Sequence, residues 1–497
     1  MTGETVDFGV INWLVVAGFL LFTTILGERL KTKGDSLDSF FKGGQSMPWW
    51  AVSGSLIATK TSASTFIAVP AFIFAAGGDL TYLQATIGFA LGVMIMLFVL
   101  LKEYYESDVF GPYEFFEQRL GISVGNLTRL IYIIGTLLAQ SVRLLVTAVV
   151  LSVVSGMDTA LCVAIIVTFS VVWSMIGGIS TVIWTDAILY AVFTIGAIIS
   201  LLYAVGAVPG GLAQVFEIAD ESAKLTLIDL STDPTKITLW AALIGVTFFE
   251  FASTAVDQTV TQRALTCKNL SEARKAVGFS AVSVLTTWLM AGVALAIFAY
   301  YQLNPLDPGT AIEMAAEPDR IFPYFVIDQL PVGISGLIVA AIFAAGISTL
   351  DSALTALSEV SVVGLGRRYI PKLKGVSESV LIGWARRMIA VWGIAIGLLA
   401  IAAIPLQDQG LLALGFKASG FVYGSLIAIA FLSLMRRGNF VSILIGTVLG
   451  TLSVILLDQA GINFFWWYPV GASVTFFSAL LIDFAQRLLP NSPNTRS

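Results

Sequence analysis

The chain has 497 residues, of which 57% are hydrophobic and only 12% are charged, with a formal net charge of −5. Soluble proteins carry about 25% charged residues, so this composition is that of a protein solvated mainly by lipid. The absence of histidine excludes histidine-based catalysis, metal binding and proton relays. The negative charge argues against nucleic-acid binding, and no nucleophile–base pairing or metal-ligand spacing suggests an enzyme.

Apolar windows of about 20 residues predict about thirteen transmembrane helices. They lie near 8–27, 48–77, 82–102, 123–153, 159–177, 180–206, 238–262, 273–301, 332–361, 378–404, 409–435, 438–458 and 463–486. No soluble domain is evident, so residues 1–497 are expected to form one all-α polytopic domain. The longer loops, near 207–237 and 302–331, are expected to form short helices.

The distribution of the 27 Lys and Arg residues predicts the orientation. Most of them fall in alternate loops and in the C-terminal tail, whereas the opposite loops are predominantly acidic. Because basic residues accumulate on the cytoplasmic side, the N-terminus is expected outside and the C-terminus in the cytoplasm. A multi-pass protein of the cell inner membrane is the expectation, with the lipid bilayer as its environment and no obligate protein partner evident.

The first unusual position in chain order is Lys60, in GSLIATKTSASTFIAVPA at 54–71. At 1.5 Å per residue it lies about 16 Å along a helix from Trp49, near the bilayer midplane, where an ionisable group indicates function. The surrounding stretch 58–65, ATKTSAST, is rich in poor helix formers. This predicts a break in the span, which would free backbone carbonyls to bind a cation.

Other polar side chains lie within the predicted spans. A functional role is the favoured interpretation for Arg143, Asp186 and Asp351, and helix packing for Arg129, Gln140 and Glu250. The stretch 344–352, AAGISTLDS, presents a cage of oxygens on one helical face. Lys417, in GFKASGFVYG, either attracts anions from the outer vestibule or lies at the membrane interface.

Three stretches together resemble the sodium:solute symporter family. They are DSFFKGGQSMPWWAVSGSLIATKTSASTF at 38–66, MIGGISTVIWTDAILY at 175–190, and DQTVTQRALTCKNLSEARKA at 257–276 followed by LIVAAIFAAGISTLDSALTALS at 337–358. The resemblance implies a leucine-transporter-like fold. An extra N-terminal helix at 8–27 would precede two inverted five-helix repeats at 48–206 and 238–436, and two C-terminal helices would follow at 438–486.

The resemblance also implies sodium as the coupling ion. The main sodium site would use the carbonyls of Ala58, Thr61 and Ala345 with the hydroxyls of Ser348 and Thr349. A further site of some members would fall on Asp186, Asp351 and Ser352. Here Asp351 stands where those members have serine.

By resemblance to the family's sialic acid symporters, Arg143 is expected to bind a substrate carboxylate. Ser62 and Thr65 match assisting hydroxyls, while Thr86, with Gln84 nearby, only approximately matches a family glutamine. The implied substrate is a small anionic solute such as a sialic acid, a uronate or another sugar acid. The alternatives are a neutral sugar or amino acid on the same fold, or a receptor or channel.

Lys60 departs from the family pattern, and two interpretations compete. In the favoured one, it faces the substrate and forms a doubly cationic pocket with Arg143, while Asp351 offsets the added charge. In the other, its ammonium enters the sodium site beside Ser348 and replaces the ion, which predicts proton-coupled or uncoupled transport.

Overall fold

The computed structural model describes residues 8–30, 37–61, 63–176 and 179–488. Within them the regular structure is helical, and a lone bridge between Met47 and Cys267 is the nearest approach to a strand. The predicted substrate residue Ser62 lies outside the described residues. The described residues form twenty-three α-helices, α1 to α23 in chain order.

The helices of the first half are α1 (Val10–Leu30), α2 (Leu37–Lys42), α3 (Trp49–Lys60), α4 (Ala63–Phe74), α5 (Ala85–Val99), α6 (Leu101–Glu106), α7 (Pro112–Leu120), α8 (Ile122–Ser155), α9 (Thr159–Ile176), α10 (Ile179–Gly206) and α11 (Gly211–Glu221). Those of the second half are α12 (Thr247–Ala255), α13 (Gln258–Ala264), α14 (Leu270–Phe279), α15 (Val284–Leu303), α16 (Pro308–Ala316), α17 (Ile321–Gln329), α18 (Ile334–Glu359), α19 (Arg367–Tyr369), α20 (Glu378–Ala403), α21 (Leu411–Met435), α22 (Phe440–Gln459) and α23 (Trp467–Leu488). Wider π-helical turns over Ala241–Val246 and Val360–Gly366 extend α12 and α18.

Nine helical segments of the described chain are long and apolar enough to cross a membrane, or ten if the bent pair α3–α4 counts as one span. Three shorter apolar helices lie at Val10–Leu26, Thr159–Met175 and Ala241–Ala255. The chain is therefore a multi-pass membrane protein, and the count of thirteen spans remains a prediction. The expected short helices of the long loops are confirmed as α11, α16 and α17.

Two of the predicted spans are interrupted by short breaks in the helix. Thr61 leaves the helical conformation (φ −96°, ψ 59°), and the chain bends by 42° between Trp49–Lys60 and Thr65–Phe74. The predicted break is thus confirmed. The predicted span at 238–262 is also interrupted: α12 ends at Ala255 and α13 begins at Gln258, where the Asp257 side chain accepts a hydrogen bond from the backbone of Thr259. An acidic residue that caps a helix start stabilises such a restart.

The interrupted helices pack against long, continuous ones. Helix α10 contacts α3 and α18, α13 contacts both α3 and α18, and α8 contacts α18 and α21. Small residues permit these approaches: a methyl group added at Gly54 would lie 2.9 Å from the Ala187 side chain, and one at Gly88 would lie 2.2 Å from the Ala242 carbonyl oxygen. These close approaches hold the interrupted helices against their long neighbours.

Candidate functional site

A large cavity, with a volume of about 160 Å³, lies where α3 and α4 meet α8, α12 and α21. One wall is aromatic, formed by Tyr82, Phe89, Phe249, Phe416 and Tyr423. The rest of the lining combines small and aliphatic residues with polar and charged side chains, which are Thr59, Lys60, Thr61, Thr65, Gln140, Arg143, Glu250, Ser253, Asp257, Thr259, Ser283, Thr287, Thr349 and Ser419. An apolar face with convergent polar groups is typical of a small-molecule site.

Among the charged residues that border the large cavity, Arg143 is a cation that remains available to bind a solute. It is half-buried on α8, and its guanidinium makes no hydrogen bond or ion pair with any residue that the structure describes. The carboxylate of Asp257, in contrast, accepts hydrogen bonds from the Tyr423 hydroxyl at 2.7 Å and from the backbone of Thr259 at 2.8 Å. The cavity therefore offers an unpaired positive group and a carboxylate that is already engaged.

A second, much smaller cavity of about 10 Å³ lies beside the first. It is bordered by Ala58, Thr59, Asp186, Leu189, Ala345, Ser348 and Thr349. Its volume is that of about one small ion or water. Because α3 ends at Lys60, the carbonyl of Ala58 lies in a last helical turn, where carbonyls lack partners within the helix. The sequence thus brings together most of the residues of the predicted sodium site.

The remaining predicted sodium ligands lie close by but outside this small cavity. Thr61 borders the larger cavity instead, and its buried hydroxyl has no hydrogen-bond partner among the residues that the structure describes. Ser352 donates a hydrogen bond to the Ser348 carbonyl and accepts one from Arg263. Asp351 is buried, and one of its carboxylate oxygens has no partner among the described residues.

A buried guanidinium, that of Arg263, connects these elements. Arg263 is only 2% exposed. Its Nη2 lies 3.1 Å from Asp186 Oδ2, its Nε donates to Ser55 Oγ at 2.8 Å, and Nη1 donates to the Thr259 carbonyl at 2.8 Å. Asp186 also accepts hydrogen bonds from the hydroxyls of Ser55 and Ser348. Arg263 therefore neutralises Asp186 at the edge of the small cavity.

Lys60 borders the large cavity together with Arg143, and its ammonium is paired. Its Nζ lies 2.6 Å from Glu250 Oε1 and donates to Ser280 Oγ at 3.2 Å, and both charged side chains are nearly buried. The expectation that Asp351 offsets the charge of Lys60 is wrong, because Glu250 does so. Lys60 and Arg143 both border the large cavity, but the charge of Lys60 is compensated by its ion pair with Glu250.

Three other predicted residues lie away from the large cavity. The Gln84 amide donates to the carbonyls of Thr81 and Ile237 and accepts from the backbone of Asp229. Gln84 thereby binds the loop between α11 and α12. Thr86 donates to the Leu83 carbonyl. Lys417 lies 3.0 Å from Asp458, on a partly exposed surface. Thr65, in contrast, borders the cavity as expected.

Sequence reasoning missed several residues of the site. Glu250 and Gln140 were assigned to helix packing, yet both border the large cavity, and the buried Gln140 Oε1 has no hydrogen-bond partner among the described residues. Arg263 follows a predicted span, and its place in DQTVTQRALT was the available signal, because polar residues every third or fourth position imply a face turned toward protein.

Comparison with known proteins places this geometry among transporters. The model of the sodium:solute symporter family matches residues 40–460. The sodium/sialic acid symporter SiaT of Proteus mirabilis (strain HI4320) is 25% identical over 473 residues, which cover 94% of this chain and 93% of that protein. The human sodium-coupled monocarboxylate transporter 1 is 27% identical over 481 residues, covering 94% of this chain and 74% of that protein. A solved substrate-bound, outward-open Na⁺-coupled sialic acid symporter aligns with a TM-score of 0.84 at 24% identity, covering 96% of this chain and 98% of that one, which shows that the fold is shared.

Proposed function

Because this chain belongs to the sodium:solute symporter family, we propose that it is a sodium-coupled secondary-active symporter for a small organic anion. A sialic acid, a uronate or another sugar acid is the proposed substrate. The relatives named above carry sialic acid or monocarboxylates, both of which present one carboxylate at neutral pH. The unpaired guanidinium of Arg143 at the cavity wall suits the same chemistry.

The observation that carries this proposal is the shared wall of the two cavities. Thr59 and Thr349 border both the large cavity and the small one. An ion in the small cavity would fix the end of α3 against α18, and that end also forms part of the solute site. Each ligand would then favour the binding of the other, a coupling that must be reciprocal.

In this proposal the carbonyls of Ala58, Thr61 and Ala345 and the hydroxyls of Ser348 and Thr349 bind sodium, with Asp186 supporting the site. Arg143 binds the substrate carboxylate, with hydroxyls from Ser62 and Thr65. The aromatic wall of the large cavity would cover the apolar face of a sugar ring. Asp351 and Ser352 lie near enough for a second ion, although Arg263 already supplies a positive charge to Asp186.

The transporter is proposed to lie in the cell inner membrane with its N-terminus outside and its C-terminus in the cytoplasm. Thirteen spans, with inverted repeats at 48–206 and 238–436, would place α3–α4 and α12–α13 at equivalent positions. The interruption of both pairs supports this arrangement, since discontinuous helices in the two halves mark the binding site of many transporters.

The test is a thermal-shift screen of detergent-purified protein with sugar acids, neutral sugars and amino acids, each in sodium or in choline. Ligands that bind the native state raise its apparent stability. We expect stabilisation by a sugar acid only in sodium, and its loss in Arg143→Gln. Lys417→Gln is the matched control, because it removes a cation that already pairs with Asp458.

Other outcomes would contradict parts of the proposal. Stabilisation by neutral solutes alone would show that Arg143 does not select the substrate. Equal stabilisation by acids in choline would favour sodium-independent transport. An effect of Lys417→Gln as large as that of Arg143→Gln would show that the substitutions act through general destabilisation.

A further inference from the structure

The ion pair between Lys60 and Glu250 joins the end of α3 to the first turn of α12 at the wall of the large cavity. Lys60 is the last residue of α3, and Glu250 lies on α12. The 2.6 Å separation of Nζ and Oε1 is that of a strong charge-assisted hydrogen bond. Both residues also belong to the cavity wall, so a solute in the cavity would experience the charge of the pair.

Glu250 is held in place independently of Lys60. Its Oε1 accepts a hydrogen bond from the Thr254 hydroxyl at 3.0 Å, and its Oε2 accepts one from Ser253 at 3.1 Å. On its other side Gly92 leaves room for the side chain, since a methyl group there would lie 2.6 Å from Glu250 Cβ. The carboxylate is thus a fixed, positioned counter-charge.

The charge balance of the cavity follows from its wall. The described wall carries four charged side chains, Lys60, Arg143, Glu250 and Asp257, which sum to zero. Uncompensated charge is costly inside a membrane protein. One sodium ion and one monoanion would leave the balance at zero, whereas one sodium ion and a dianion would leave an excess negative charge.

We propose that Glu250 sets the charge class of the substrate by neutralising Lys60, so that the transporter selects monoanions over dianions. This inference rests on the proposed function and makes it more specific. With the carboxylate of Glu250 removed, Lys60 would join Arg143 as a second cation on the wall. The doubly cationic pocket expected from the sequence is therefore present but masked by a partner on α12.

The experiment compares matched anions in sodium buffer by thermal shift and equilibrium binding: D-glucuronate with D-glucarate, and lactate with malate. Wild type should bind the monoanion of each pair more tightly. Glu250→Gln keeps the shape of the side chain and should raise the dianion-to-monoanion affinity ratio by about tenfold or more, given the strength of charge interactions at these distances.

Two further variants separate charge from folding. Lys60→Gln leaves the wall with a net negative charge and should weaken the binding of every anion. The double variant Lys60→Gln/Glu250→Gln restores the balance and should recover the preference of wild type. An unchanged affinity ratio in Glu250→Gln, or a double variant that behaves like Glu250→Gln, would overturn the inference while leaving the symporter proposal intact. If neither monoanion bound to wild type in sodium, the proposed function would fail as well.

Discussion

Replacing Arg263 with glutamine removes the guanidinium that neutralises Asp186 in the membrane interior. Arg263 donates to Ser55, to the Thr259 carbonyl and to Ser352, in addition to its ion pair with Asp186. In Arg263→Gln the Asp186 carboxylate would keep the hydrogen bonds from the hydroxyls of Ser55 and Ser348 but would have no counter-ion. We expect a large loss of stability, because a buried charge would lose its partner.

The size of the loss follows from the burial of the pair. Both side chains are at most 3% exposed, and removal of one partner from a buried ion pair costs about 3–5 kcal/mol. Arg119→Gln is the matched control, because its pair with Glu103 has a shorter separation of 2.8 Å but is 21% and 29% exposed. Partly exposed pairs contribute about 0–1 kcal/mol.

Sodium should partly rescue the Arg263 variant. Asp186 borders the small cavity, so its unpaired carboxylate would attract a cation there more strongly than it does beside the guanidinium. The assay is the apparent melting temperature of purified protein over a sodium titration, with total ionic strength held constant by choline chloride. The reasoning is refuted if Arg263→Gln has the same melting temperature as the Arg119→Gln control, or if sodium raises the melting temperature of Arg263→Gln no more than that of wild type.

Three further predictions address separate features. Ser348→Ala should reduce the rise of the melting temperature with sodium concentration. The control is Ser358→Ala, which removes a buried hydroxyl of the same helix that donates to the Thr355 carbonyl, and it should leave that rise unchanged; sodium titrations of the melting temperature compare the two. Burial raises the pKa of Asp319 to about 6, and its carboxyl group accepts a hydrogen bond from the backbone of Leu411. The contribution of the protonated Asp319 to the stability of the folded state is therefore complete below about pH 4 and is lost as the pH rises through about 6. Asp319→Asn should therefore be more stable than wild type by up to about 3 kcal/mol near neutral pH, and melting curves from about pH 5 to about pH 8 would show it; equal pH profiles would contradict this. Gly88→Ala should destabilise the fold by about 1–3 kcal/mol, since its methyl group would lie 2.2 Å from the Ala242 carbonyl oxygen. In the control Gly18→Ala the methyl group meets nothing within 4 Å, so this variant should be neutral or slightly stabilised. Equal melting temperatures of the two variants would contradict the packing argument.

Much of the fold could be predicted from local composition. The hydroxyl-rich stretch at 58–65 predicts the end of α3, and AAGISTLDS predicts the oxygen-bearing face of α18, because both depend on residues that are neighbours along the chain. The apolar windows likewise predict the long helices, since lipid requires continuous hydrophobic segments. The position of the interruption before Gln258 could not be predicted locally, because the flanking residues are apolar enough to form one continuous span.

Pairings across the fold could not be predicted from one sequence. Lys60 and Glu250 are 190 positions apart, and nothing local shows that the glutamate lies opposite the lysine. The same holds for Arg263 and Asp186, where the arginine follows an apolar segment and resembles a loop residue. Gln84 illustrates the converse: its polarity suggested a substrate contact, but its amide is used by a loop that only the tertiary structure brings near.

The central claim is that a sodium gradient drives an organic anion through this chain. The most direct measurement is uptake of radiolabelled sugar acid into proteoliposomes with an inward sodium gradient, compared with an equal choline gradient and with Ser348→Ala. The account predicts transient accumulation above the equilibrium level in sodium alone, reduced in the variant. Equal uptake in sodium and choline would contradict it.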